Sequence, residues 1–140
     1  MRIMAIDYGD AHTGIAISDP TGLLAGFSCT VDAYRPEAVA ERIAGLAQEH
    51  GVTELVLGHP RNMDGTLGPR AEKAEGMAEL LKSVTGLPVV LWDERRTTID
   101  AHQILMNVGK NARQRKKTVD AVAASLILEG YLTFKKQQNK

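Results

Sequence analysis

The stretch Arg2-Ile3-Met4-Ala5-Ile6-Asp7 decides how the fold is interpreted, because a nearly continuous apolar run that ends in a carboxylate indicates a strand buried on both faces. Apolar residues return in two further runs, at residues 14–18 and at about residues 23–31. Only short connections rich in turn-forming residues separate these runs. The first third of the chain therefore predicts an antiparallel meander of three strands.

Helical and strand patterns alternate after this meander. Helical spacing of apolar residues runs from Pro36 to residue 50, where Gly51 provides a stop signal. A strand at 54–58, a helix at about 68–84 and a strand at 87–92 follow. Helical patterns over 98–108 and 118–134 flank a polar segment at 109–117. The last residues, from about 135 to 140, are expected to form a frayed, solvated tail.

This order of elements predicts an α/β fold in a single domain covering residues 1–140. Three antiparallel strands followed by two right-handed β-α-β crossovers give a five-stranded mixed sheet, with three antiparallel and then two parallel strands, flanked by helices. A chain of 140 residues with 44% hydrophobic content is too short for two domains with separate cores. No internal repeat or linker rich in Pro, Gly or Ser divides it.

Composition excludes several classes of function. Seventeen basic and seventeen acidic residues give a formal charge of zero, so only a local patch could bind nucleic acid electrostatically. Two Phe, one Trp and three Tyr are few for a base-stacking module. No apolar run approaches the ~20 residues that cross a bilayer, and the single Cys29 cannot form an intramolecular disulfide. We expect a cytoplasmic protein that does not bind membranes.

Three carboxylate positions stand where ligands of such sheets gather. Asp7 and the pair Asp93-Glu94 close buried strands, and the carboxyl ends of parallel strands meet at one edge. Asp120 shares a helical stripe with apolar residues of the last helix and should face the sheet. Converging carboxylates repel unless they are protonated or bridged by a divalent metal, and an all-oxygen site suits Mg²⁺ or Mn²⁺. Two such ions can activate water and stabilise a leaving oxygen in phosphodiester hydrolysis.

Each carboxylate also has a purely structural interpretation. Asp7 could accept hydrogen bonds in an Asx-turn, and the Asp93-Glu94 pair could form ion pairs with the arginines that follow or cap a helix. If Thr118 is the N-cap of the last helix, Asp120 lies in its first turn, where its charge interacts favourably with the helix dipole.

Taken in order along nearly the whole chain, a set of short motifs resembles the YqgF family. The motifs are Asp7-Tyr8-Gly9, Asp19, Asn62-Met63-Asp64-Gly65, Asp93-Glu94-Arg95-Arg96-Thr97-Thr98 and Asp120-Ala121-Val122-Ala123-Ala124-Ser125-Leu126-Ile127-Leu128. These bacterial proteins are relatives of the RuvC Holliday-junction resolvases, with a ribonuclease H-like fold. They are described as resolvases and as nucleases that mature the 5′ end of pre-16S ribosomal RNA.

The resemblance implies a nuclease that hydrolyses phosphodiester bonds by a two-metal mechanism. The preferred role is rRNA processing in ribosome biogenesis. Its catalytic and metal-binding acids would be Asp7, Glu94 and Asp120, with Asp93 as a reserve candidate, and its cofactor Mg²⁺ or Mn²⁺. The alternatives are a Holliday junction resolvase acting on branched DNA and a non-catalytic RNA-binding module of ribosome assembly. Asp7-Tyr8-Gly9 also resembles the first phosphate loop of actin-like ATPases and sugar kinases, but those folds close two domains around a nucleotide. A monomer and a homodimer both remain open.

Cations near these acids are the candidates for binding nucleic acid. Five of them lie between residues 110 and 117, and we call them the basic segment. They would draw in a phosphate backbone beside the acidic centre, unless the segment is only a solvated loop. The complete set of nucleic-acid-binding candidates is Arg70, Lys73, Arg95, Arg96 and the basic segment Lys110, Arg113, Arg115, Lys116 and Lys117.

Three positions depart from the family pattern, one of them Arg96, where the family often has Leu and where an arginine adds either a phosphate contact or a surface charge. Family members usually carry a basic residue before the glycine of the second block, whereas here His12-Thr13 precedes Gly14, which weakens the expected phosphate contact. Between Gly58 and Pro60 a small or apolar residue is usual, but this chain has His59. The favoured interpretation of His59 is a solvated loop residue, and the alternative is a metal or phosphate ligand. Trp92 is interpreted as a packing residue rather than a stacking platform.

Overall fold

The computed structural model describes residues 2–19, 25–59, 68–93 and 112–138. Within them the chain forms five strands and three long helices, and no described helix is long and apolar enough to span a bilayer. In chain order the elements are β1 (Arg2–Asp7), β2 (His12–Ser18), β3 (Ala25–Asp32), α1 (Pro36–His50), β4 (Val52–His59), α2 (Pro69–Thr85), β5 (Val89–Asp93) and α3 (Ala112–Gln138).

The strands form one mixed sheet in the order β3-β2-β1-β4-β5. The first three strands pair antiparallel, and β4 and β5 pair parallel to β1 and to each other. This confirms the predicted fold class. The central strand is β1, whose residues Ile3 to Ile6 are almost completely buried, as the continuous apolar run in the sequence predicted.

Helices cover both faces of the sheet, and strand alternation divides the core between them. Met4 and Ile6 of β1 face α1 and α2, whereas Ile3 and Ala5 face α3. The α3 side of the core is closed by one apolar stripe of that helix: Ala124, Ile127, Leu128, Tyr131 and Leu132.

Local sequence signals set the ends of the first two helices. Both α1 and α2 begin with proline, whose fixed φ suits the first helical turn, and neither start has a side-chain cap. Gly51 and Gly86 follow their last residues with φ of 67° and 70°, a left-handed conformation that other residues adopt at a cost. The predicted bounds of α1 are confirmed, and those of α2 differ by about one residue at each end.

The last helix differs most from its prediction. It begins at Ala112 instead of Thr118, so the part of the basic segment from Arg113 to Lys117 is helical instead of a loop. Thr118 is therefore not an N-cap. The signal was available, because Ala, Arg, Gln and Lys, which fill positions 112–117, are all strong helix formers.

The chain end and the strands also differ from expectation. α3 continues through Gln138, and Lys135 bonds to Glu54, so the frayed tail predicted from residue 135 is wrong at that residue. β4 is longer than predicted at both ends, and β5 begins about two residues later than predicted. The predicted start of β3 at about residue 23 lies outside the described residues. The helical pattern at 98–108 and the Asn62-Met63-Asp64-Gly65 turn lie outside the described residues.

Candidate active site

Three parallel strands bring their last residues to one edge of the sheet. β1 ends at Asp7, β4 at His59 and β5 at Asp93. The register pairs Ile6 with Leu57 and His59 with Asp93, so the three strand ends lie at nearly the same level. The sequence-based expectation that these positions gather at a carboxyl edge is confirmed for the described residues.

Alternation along the strands places the two described acids on opposite faces of this edge. Asp7 follows Ile3 and Ala5 at strand spacing, and these residues pack under α3. Asp93 follows Val89 in the same way, and Val89 packs against the core beneath α1 and α2. Both carboxylates have interaction partners. Asp7 and Asp93 therefore do not belong to one cluster on one face.

The third predicted acid, Asp120, lies on α3, the helix that covers the Asp7 face of the sheet. Asp120 lies one helical turn before Ala124, which is buried against the sheet. Because the helix begins at Ala112, Asp120 is not in its first turn, and the helix-dipole interpretation of this residue is wrong. The side chain of Asp120 and the residues 94–96, which include Glu94, Arg95 and Arg96, lie outside the described part of the structure.

The turn after Asp7 is shaped by a close approach of two backbone segments. A Cβ added to Gly9 would overlap the carbonyl oxygen of His12, nearer than real Cβ atoms come to other atoms. Only glycine fits there, which gives a physical reason for the Asp7-Tyr8-Gly9 motif. The same close approach fixes the start of β2 beside the end of β1, where Gly14 pairs with Asp7.

The two residues before Gly14 have different surroundings. Thr13 is completely buried, so it cannot contact a substrate, and its hydroxyl has no hydrogen-bond partner among the described residues. His12 is half exposed, and its Nδ1 lies 2.6 Å from Oδ1 of Asp32. The β2–β3 register places Asp32 directly opposite His12. This pair stands at the carboxyl edge, on the face that Gly14 shares with Asp7, and sequence reasoning missed Asp32.

His59 is a buried strand residue, so its interpretation as a solvated loop residue is wrong. It is 4% exposed, and its Nε2 lies 3.1 Å from Oε1 of Glu75 on α2. The error arose because β4 continues one residue past Gly58 to pair with β5. Burying an imidazole costs free energy unless a polar partner offsets the loss of hydration. For His59 this partner is the Glu75 carboxylate.

The candidate phosphate ligands Arg70 and Lys73 both lie on α2, near the turn after Asp7. Lys73 Nζ lies 3.0 Å from Oδ1 of Asp10, which sequence reasoning had not singled out. The hydrogen bond and charge of Lys73 hold the pKa of the Asp10 carboxyl below its ordinary value, and Arg70 acts in the same direction. Lys73 therefore already has a carboxylate partner within the chain.

The remaining nucleic-acid candidates fall in α3 or next to it. Arg113, Arg115, Lys116 and Lys117 lie in its first two turns, with side chains outside the described part, and Lys110 lies outside the described residues. Trp92 is a packing residue, as predicted. It is 7% exposed and makes edge contacts with Tyr131 and Phe134 of α3.

Solved structures with low sequence identity share the fold of this chain. Its architecture is ribonuclease H-like and matches Thermus thermophilus RuvC in complex with Holliday junction substrate, with a TM-score of 0.63, 16% identity and 96% of each chain covered. The large terminase nuclease from phage G20c matches with a TM-score of 0.57 and 12% identity over 92% of this chain and 80% of that one.

Sequence comparison gives the family. A family model described as "RuvX: Holliday junction resolvase" matches residues 1–134. A relative from Halothermothrix orenii is 44% identical over 140 residues, covering 100% of this chain and 98% of its own. One from Listeria monocytogenes is 44% identical over 134 residues, covering 94% and 97%. Both carry the name "Putative pre-16S rRNA nuclease". The chain belongs to the RuvX/YqgF family, which confirms the resemblance seen in its motifs.

Proposed function

We propose that this protein is a metal-dependent endonuclease that hydrolyses phosphodiester bonds of structured nucleic acid, with the 5′ end of pre-16S rRNA as its substrate. The observation that carries the proposal is the position of Asp7. It ends the central strand on the face that α3 covers, and Asp120 lies on α3 one turn before the buried Ala124. The names of the relatives support the choice of RNA.

The proposed metal ligands are Asp7, Glu94 and Asp120. Asp93 lies on the face opposite Asp7, which argues against this reserve candidate and favours its neighbour Glu94. A donor set made only of carboxylate oxygens fits Mg²⁺ or Mn²⁺. Among the described residues no three His, Cys, Asp or Glu side chains group into a metal site, and two of the three proposed ligands lie outside that description. When bound, the metal would supply an activated water and stabilise the leaving oxygen.

The chain's own residues would have two further tasks. The carboxylates would keep their negative charge at this edge, and a bound cation would relieve the repulsion between them. The basic segment and Arg70 would hold the phosphate backbone in register without reading sequence.

A second candidate function is the resolution of Holliday junctions. The description of the family favours it. Cleaving a symmetric junction calls for two active sites, which a homodimer would present, whereas trimming an RNA end needs only one. The two functions share the chemistry and differ in the substrate.

The test compares substrates directly. Purified protein is incubated with labelled RNA carrying the pre-16S 5′ end and with a four-way DNA junction, each with and without Mg²⁺ or Mn²⁺. Cleavage of the RNA only with metal supports the first function, and cleavage of the junction alone supports the second. Binding of RNA without cleavage, with an affinity that alanine at the carboxylates leaves unchanged, would identify a non-catalytic module.

Asp7→Asn tests the proposed acid at nearly constant volume. We expect metal-dependent cleavage to fall at least about 100-fold, because a charged oxygen ligand is lost. The melting temperature measured without metal should stay the same or rise, because the repulsion between Asp7 and the other proposed carboxylates is removed. Glu79→Gln is the matched control, since it neutralises an exposed carboxylate of α2 that pairs with Lys82. Wild-type cleavage by Asp7→Asn at saturating metal would refute the assignment. Glu94→Gln and Asp120→Asn should give losses that combine far less than additively with it.

A further inference from the structure

A groove of about 300 Å³ opens beside Asp7 on the side of the sheet that carries α1 and α2. Tyr8, the residue after Asp7, forms one wall, and Tyr34 and Pro36 form another. Residues Gly76, Met77 and Leu80 of α2 form its floor. This volume is at the lower end for ligand pockets, so it suits a single planar ring system and not a helix or a folded partner.

The two tyrosines differ in burial, because Tyr8 is partly buried against the core beneath α1 and α2, whereas Tyr34 lies outside that core. Trp92, Tyr131 and Phe134 contact one another under α3, and Phe27 contacts His50. Tyr34, in contrast, is 81% exposed. Burial raises the pKa of the Tyr8 phenol, so this wall stays neutral at physiological pH. Two neutral phenol rings beside an apolar floor form a surface on which a nucleobase can stack.

The glycine in the floor keeps the groove open. Gly76 lies in the middle of α2, where glycine costs about 1 kcal/mol relative to alanine. A Cβ added there would meet no atom within 4 Å, so packing does not demand glycine. Gly45 also lies in the middle of a helix, α1, and a Cβ added there would likewise meet no atom within 4 Å, but Gly45 does not line the groove. The two positions form a matched pair.

Charge at the mouth suits a phosphate next to a bound base. A smaller depression adjoins the groove and shares Tyr8, Asp10 and Lys73 with it, and it adds Gly9 and Arg70. Of the charged residues that line the two depressions, Lys73 and Arg70 are basic and Asp10 is acidic, which leaves one positive charge. For a nucleotide whose base occupies the groove, Arg70 of the adjoining depression is the cation available to its phosphate, because Lys73 already pairs with Asp10.

We propose that this groove binds one unpaired nucleotide of the substrate strand next to the cleavage site, with its base against Tyr34 and Tyr8 and its phosphate toward Arg70. The proposal rests on the proposed nuclease function for the identity of the strand. Tyr8 directly follows Asp7, so a strand that crosses the carboxyl edge could reach both the groove and the acidic face. The groove would thereby select substrates with a single-stranded segment beside a duplex.

The test measures binding without cleavage. Fluorescence anisotropy in EDTA gives dissociation constants for an RNA hairpin with a short single-stranded extension and for the same hairpin with a blunt end. Gly76→Leu fills the groove, and Gly45→Leu is its control. We expect Gly76→Leu to weaken binding of the extended hairpin about tenfold and to leave the blunt hairpin unchanged, whereas Gly45→Leu changes neither. Melting temperatures should not fall in either variant, because leucine is the better helix former.

A second pair of variants addresses the ring itself. Tyr34→Ala should weaken binding of the extended hairpin about tenfold, and Tyr34→Phe should restore it, because stacking needs the ring and not the hydroxyl. With 2-aminopurine in the extension, emission should be quenched by the wild type and by Tyr34→Phe but not by Tyr34→Ala.

Three results would overturn the proposal. The first is an equal loss of affinity for the extended and the blunt hairpin, which would indicate a general phosphate contact. The second is unchanged affinity in Gly76→Leu. The third is a wild-type protein that does not prefer the extended hairpin. Because the measurement needs no turnover, extension-dependent binding by a protein that cuts nothing would refute the nuclease function and leave the groove assignment standing. Cleavage without extension-dependent binding would refute the groove assignment and leave the nuclease function standing.

Discussion

The end of α3 is held to the sheet by Glu54 of β4, and this contact gives the most quantitative prediction. The Tyr131 hydroxyl donates to Oε1 of Glu54 at 2.8 Å, and Lys135 Nζ donates to Oε2 at 2.6 Å. The Glu54 side chain is 14% exposed and that of Lys135 is 31% exposed. Because α3 also carries Asp120, the anchor helps to position the proposed site.

Hydrogen bonds to a charged group contribute about 1.5–3 kcal/mol when buried, whereas exposed ion pairs contribute about 0.2–1 kcal/mol. We therefore expect Tyr131→Phe to lower the free energy of unfolding by about 1.5 kcal/mol and Lys135→Met by about 1 kcal/mol. For a chain of this size each kcal/mol corresponds to roughly 3–4 °C in Tm. Glu54→Gln should cost about 2 kcal/mol, since the amide keeps only one acceptor oxygen.

The assay is thermal and urea unfolding of the single variants and of the Glu54→Gln/Lys135→Met double variant, whose interaction free energy should be about 0.5–1 kcal/mol. Lys82→Met is the control, because Lys82 belongs to an exposed pair with Glu79 at 3.3 Å and should change Tm by no more than about 2 °C. If Lys135→Met has no more effect than Lys82→Met and the double variant is additive, the helix end is frayed and the reasoning fails.

Three further predictions concern other parts of the chain. Gly9→Ala should lower the free energy of unfolding by about 1–3 kcal/mol and the cleavage rate by about 100-fold, since the turn after Asp7 must shift. Gly45→Ala, the control, should slightly stabilise the protein. Equal melting temperatures of the two variants would contradict this. Burial, and then Glu54, raise the pKa of Tyr131 above its ordinary value of 10. The folded state therefore keeps this proton longer than the unfolded state, so the stability it contributes is complete below pH 10 and is lost as the pH rises through the raised pKa. Tyr131→Phe should weaken the loss of stability measured above pH 10, and an identical alkaline profile would contradict this. Replacing the four cations of the basic segment after Lys110 by Gln should make RNA affinity depend less on salt concentration, with little change in cleavage at saturating substrate. An unchanged slope of log affinity against log salt would assign phosphate binding to other cations.

The sequence by itself determined the features that depend on neighbours along the chain. The apolar run before Asp7 indicates a buried strand, and Pro36 and Gly51 bound α1 because their φ preferences act locally. The order of strands and helices then leaves one right-handed mixed sheet, whose carboxyl edge collects Asp7, His59 and Asp93. The candidate acids and the family could be identified from these motifs alone.

Only the tertiary structure decided which side chains meet. The pairing of His12 with Asp32 depends on the register of two strands, and one step of register would move either side chain to the other face. His59 is buried because β5 pairs beside it and α2 supplies Glu75, both distant in sequence. The same alternation places Asp93 on the face opposite Asp7. The sequence could not show which of the adjacent acids Asp93 and Glu94 shares a face with Asp7, because a side chain's face is a property of the assembled sheet and not of the residue.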